Sequence, residues 1–81
     1  QPLLPIAKGK NVYKVLSIGF GNTGTPMVTI ESGRETVCYK LPYEYSEWAM
    51  TVVGCANMGE KLVPGEVVFS LENGKYYADI L

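Results

Sequence analysis

The dipeptide Asn73-Gly74, set between the alternating segments Glu66 to Glu72 and Lys75 to Leu81, constrains this chain more than any other feature. Asn and Gly tolerate the positive φ angles that a two-residue type I′ turn demands, so the stretch predicts a β-hairpin. The register that follows sets Leu71 opposite Tyr76, Phe69 opposite Ala78 and Val67 opposite Ile80 on one continuous apolar face. On the other face Glu72 meets Lys75, so turn chemistry, apolar pattern and charge agree.

Three more strands are expected upstream. Val12 to Phe20 is rich in β-branched and aromatic residues and is closed by Gly21-Asn22-Thr23-Gly24, with Gly19 marking a bulge or sharp bend. Thr25 to Glu31 and Arg34 to Leu41 form a second hairpin around Ser32-Gly33. A two-residue turn there sets Glu31 opposite Arg34, Thr29 opposite Thr36 and Val28 opposite Val37, whereas a three-residue loop would set Glu31 against Glu35. The first register turns Val28, Ile30, Val37 and Tyr39 to one face and leaves Met27, Thr29, Thr36, Cys38 and Lys40 on the other.

Pro42 ends the third strand, because proline has no N–H to give a ladder. Between Tyr43 and Met58, Ser46 as N-cap and the spacing of Trp48, Ala49, Val52, Val53 and Ala56 predict a short helix ending near Gly54, although Met50 to Val53 would also suit a strand. Residues 1–11 read as an extended lead-in and residues 12–81 as one domain.

The 81 residues provide for one core, and 47% hydrophobic against 19% charged residues is a globular composition. No apolar run approaches the roughly 20 residues that span a bilayer, and an initial Gln reads as a processed or excised piece. The chain has no histidine and two cysteines, Cys38 and Cys55, both among apolar neighbours. This favours reduced thiols over a Cys38–Cys55 disulfide, and with them an intracellular compartment and no metal centre or cofactor. Catalysis is not expected either, since no two carboxylates share an apolar setting. The glycines of Gly19-Phe20-Gly21-Asn22-Thr23-Gly24 are spaced like a dinucleotide fingerprint but precede a strand where that motif needs a helix.

Three strands, a linking helix and a closing hairpin is the element order of a mainly β, five-stranded OB-like Greek-key barrel with one short helix between strands 3 and 4. The stretch Val12-Tyr13-Lys14-Val15-Leu16, the glycine-containing loop leading to Thr25-Pro26-Met27-Val28, and Val37-Cys38-Tyr39-Lys40-Leu41-Pro42 together resemble the OB domains of single-stranded-DNA-binding proteins. An SH3-like barrel or a small α+β domain is the alternative fold.

That resemblance implies single-stranded DNA or RNA laid across the first three strands and their loops, gripped by aromatics and cations. The matching residues here are Lys14, Phe20, Arg34, Tyr39, Lys40, Lys75 and Tyr76, although Phe20 also suits a barrel seal and Tyr39 a core position. Charge asymmetry supports the same side. Residues 1–40 sum to +3, from Lys8, Lys10, Lys14, Arg34 and Lys40 against Glu31 and Glu35, while residues 41–81 sum to −4. Against it stand a pI of 5.3 and an outer face on strands 2 and 3 without an aromatic. The competing reading is a protein-interaction or assembly module, homo-oligomeric or with another protein, whose anchors would be Tyr43, Tyr45 and Trp48. Pro2-Leu3-Leu4-Pro5-Ile6 would then be a docking arm for another subunit, against the simpler expectation of an untethered terminus.

Overall fold

A computed structural model describes residues 1–81. Five strands form one antiparallel sheet: β1 (Gly9–Phe20), β2 (Pro26–Ser32), β3 (Glu35–Lys40), β4 (Gly65–Glu72) and β5 (Lys75–Ile80). A 3-10 turn (Tyr43–Tyr45) runs directly into α1 (Ser46–Asn57), so the chain is mainly β with one short helix between β3 and β4. Strand order is β3-β2-β1-β4-β5, and no hydrogen bonds join β3 to β5 to close the sheet.

The central strand carries the architecture. β1 pairs with β4 through Gly9 to Val15 and with β2 through Lys14 to Phe20, so only Lys14 and Val15 are shared. An extra residue at Leu16 shifts the β1–β2 register between Val15 and Ser17. The bulge expected at Gly19 lies here instead; Gly19 sits in regular register with Met27. A bulge increases local twist and bends its strand, and this one falls where β1 changes partner, which lets the two halves of the sheet fold toward each other.

The β4–β5 register is the expected one, with Asn73 at φ 54° and Gly74 at φ 73° in the turn. In the β2–β3 hairpin the turn is Gly33-Arg34, with Ser32 opposite Glu35, Glu31 opposite Thr36 and Val28 opposite Tyr39. The expected pairing of Glu31 with Arg34 is therefore corrected by two positions. Gly33, at φ 62°, takes the first turn position, the place a type II′ turn reserves for glycine. Glu31 finds its cation on the other neighbouring strand, where Lys14 Nζ lies 3.1 Å from its carboxylate. Because the correction is an even number of residues, the inward set Val28, Ile30, Val37 and Tyr39 is unchanged.

The core lies on the concave face: Val15, Val28, Ile30, Leu41, Tyr45, Val67 and Phe69, joined by Leu4. Around Phe69, which is fully buried, stand Tyr45 at 5.4 Å and Trp48 at 5.5 Å between ring centroids, both edge-on. Edge-on pairs add to the stabilisation that burial already provides. Ala49 and Val52 bury the inner face of α1. The helix starts one residue earlier than its expected cap implies, with Tyr45 at the N-cap position and Ser46 helical, and it continues past Gly54 to Asn57.

The lead-in is not an untethered terminus. Lys40 donates its N–H to the Pro2 carbonyl at 2.8 Å and accepts from the Leu4 N–H at 2.9 Å, so residues 2–4 lie on the outer edge of β3. Leu4 is buried, and the Tyr13 hydroxyl donates to the Pro5 carbonyl. Asn11 secures the turn into β1. Its side-chain oxygen accepts from the Ala7 N–H at 3.1 Å, and its amide donates to the carbonyls of Ala7 at 2.8 Å and Phe69 at 3.0 Å.

Candidate nucleic-acid interface

On the convex face of β1, β2 and β3 the register forms three cross-strand rows. Lys14, Glu31 and Thr36 make one, Ser17, Thr29 and Cys38 the next, and Gly19, Met27 and Lys40 the last. The middle of this face is small, polar and uncharged, and cations stand at its margins. Lys40 is exposed at the end of β3, its backbone held by the lead-in. Arg34 is exposed in the β2–β3 turn, off the strand where it was expected, at the other end of the hairpin.

Lys14–Glu31 is the only ion pair in the molecule, and both side chains remain about half exposed. A pair so wet contributes at most about 1 kcal/mol, so the lysine stays available to a phosphate. Arg34, Lys40 and Lys75 have no acidic partner within ion-pair distance, Glu72 included.

The expected nucleic-acid residues separate into three groups. Lys14, Arg34 and Lys40 belong to the convex face or its margin, and Phe20, 40% exposed, closes β1 opposite Pro26 beside the loop at residues 21–25. Tyr39 points inward and packs against the core, as its register position indicated. Lys75 and Tyr76 lie at the opposite edge of the sheet on β5, and Tyr76 faces inward, 5.4 Å from Tyr45. The Asn73-Gly74 turn is next to the start of β1, and the 21–25 loop follows its end.

The aromatic trio also divides. Tyr43 is 78% exposed, Trp48 is half-buried, and Tyr45 is only 2% exposed, with its hydroxyl donating to the Tyr77 carbonyl at 3.0 Å. Burial, with the nearby Tyr76 and Glu44 adding to it, pushes the Tyr45 phenol up to about 12. The Tyr13 phenol is raised by burial and then by Tyr39. Both are neutral structural groups at physiological pH.

Two concavities escaped sequence reasoning. One, of about 340 Å³, is polar and lies over β1, β4 and β5, lined by Lys10, Ser70, Glu72, Asn73, Tyr77 and Asp79. The other, about 270 Å³, is mostly apolar and lies between α1 and the bulge, lined by Leu16, Ile18, Val52, Val53, Val63 and Pro64. The alternation of β5 was a signal for the first, since it places Tyr77 on the convex face; the second depends on the bulge, which nothing local announces. Cys38 and Cys55 are free thiols, no group of three metal-ligating side chains comes together, and no helix is long and apolar enough to cross a membrane. No family model, curated protein or solved structure matches this chain.

Proposed function

We propose that this chain is a non-catalytic binding domain that holds single-stranded nucleic acid across the convex face of β1–β3. The observation that carries the reading is the arrangement of exposed cations, Lys14, Arg34 and Lys40, around an uncharged strip of Ser17, Thr29 and Cys38. Phosphates follow the cations, and the strip itself leaves room for sugars and bases; the carboxylates beside it are Glu31, in a weak exposed pair with Lys14, and Glu66, opposite Lys14 on β4. Phe20 follows Gly19 on β1 and so turns to the face opposite this strip, which leaves binding here to the cations. The strand order β3-β2-β1-β4-β5 supports an OB-like reading, in which the β3 and β5 edges face each other across the open seam.

The test is anisotropy of a labelled oligo-dT strand, with the RNA counterpart as a second arm. Three phosphate contacts predict a log–log salt slope of roughly −2. Arg34→Glu and Lys40→Glu each weaken binding several-fold or more with the fold intact by circular dichroism. No binding at low salt, or equal affinity in both variants, overturns the reading.

A further inference from the structure

The edge of β5 is open, and its sequence is complementary to itself. In the β4–β5 ladder the Leu81 N–H donates to the Glu66 carbonyl, which fixes the hydrogen-bonding phase: Tyr77, Asp79 and Leu81 turn their backbone groups toward β4. Tyr76, Ala78 and Ile80 therefore turn theirs outward, and no backbone bond outside the ladder reaches them. The other edge of the sheet, β3, is covered by the lead-in at Lys40 alone. β5 has no such cover.

We infer that this edge pairs with β5 of a second copy, antiparallel about a two-fold axis through Tyr77, and joins the two sheets into one. The outward phase requires even-numbered residues to bond to even-numbered ones. Of the registers this leaves, the one pairing Tyr76 with Ala78 of the mate sets Lys75 opposite the mate's Asp79, twice by symmetry. A two-residue slip in one direction sets Lys75 against Tyr77, and in the other it sets Lys75 against Leu81. A parallel arrangement in register would set Lys75 against Lys75.

The favoured register also puts the two Tyr77 rings at its centre, in a non-hydrogen-bonded pair where side chains come closest. Tyr77 is a large aromatic 49% exposed on the convex face, and Lys75 and Asp79 are both exposed and free of ion pairs. Edge strands are ordinarily protected by charge; here two opposite charges four residues apart attract a two-fold mate. This interface uses the outward backbone groups of β5 and none of the convex side chains of β2 and β3, and it does not depend on nucleic-acid binding.

Sedimentation velocity on the whole chain without nucleic acid, from micromolar to millimolar concentration, tests it. The mass rises with concentration from 8.9 kDa toward twice that value. Asp79→Lys sets lysine against lysine and weakens self-association at least roughly tenfold. Adding Lys75→Glu to it restores the charge pair in reversed sense and recovers the dimer. Ala78→Pro removes an outward N–H that β4 does not use and also blocks pairing. Circular dichroism checks that each variant remains folded. A strict monomer up to millimolar chain, or a dimer that folded Asp79→Lys and Ala78→Pro leave unchanged, overturns the inference.

Discussion

Two side chains bear on stability out of proportion to their size. Tyr45 lies among Phe69, Trp48 and Tyr76 with its hydroxyl donating into the β5 backbone, so it fills the core and restrains the last strand at once. Its phenol is raised in the folded protein above the unfolded value near 10, which fixes the sign of its pH dependence. The stabilisation is intact below pH 10 and declines as pH rises from 10 toward 12, because the unfolded chain gives up this proton more readily. Tyr45→Phe is expected to cost about 1 kcal/mol at neutral pH and to flatten the loss between pH 10 and 12, both read by urea unfolding. Tyr13 acts in the same direction and leaves a smaller residual slope.

Neither role was legible in sequence. Tyr43, Tyr45 and Trp48 form one aromatic patch there, and only the 3-10 turn before α1 turns the middle residue inward and leaves Tyr43 outside. Tyr39 and Tyr76, by contrast, follow from strand alternation, because a period of two leaves no freedom over which face a side chain takes.

At the scale of elements, the hairpin with a strong turn signal was readable to the residue, and the one with a weak signal was misplaced by two. Asn73-Gly74 admits positive φ at both positions, whereas Ser32-Gly33 offers glycine at the second place only, and the chain moves the turn forward to put Gly33 first. Charge opposition across a single hairpin was the wrong arbiter, since a strand inside a sheet has two neighbours and Glu31 chose β1. The lead-in was misjudged for a related reason. Its prolines and lack of period say loop, yet Leu4 reaches the core and Pro2 and Leu4 bracket Lys40. Leu4→Ala is expected to cost about 2–4 kcal/mol, the usual cost of emptying a buried leucine site. Asn11→Ala, which leaves the Ala7 and Phe69 carbonyls without that donor, is expected to cost about 1–3 kcal/mol. Chemical denaturation measures both, and a change under half a kcal/mol in either would show the strap to be unimportant.

For the whole molecule, the two edges of the sheet have different fates, and this arrangement organises both proposed surfaces. The β3 edge is held at its end, at Lys40, by the chain's own lead-in; the β5 edge has no such contact and bears opposite charges. A ligand on β1–β3 and a mate on β5 do not compete for the same backbone groups, so a dimer would offer two convex faces on one extended sheet.

The division of β1 between two partners also decides the order in which this chain reaches its native state. The Ser17–Phe20 half meets β2 within about a dozen residues, whereas the Gly9–Tyr13 half waits for β4, more than fifty residues on. Loops of that length close slowly, so the first hairpins assemble while half of the central strand is still without a neighbour. Pulsed hydrogen exchange during refolding should find ladder amides of β2 and β3 protected before those of Asn11 and Tyr13; simultaneous protection would mean that the last hairpin docks in the rate-limiting step.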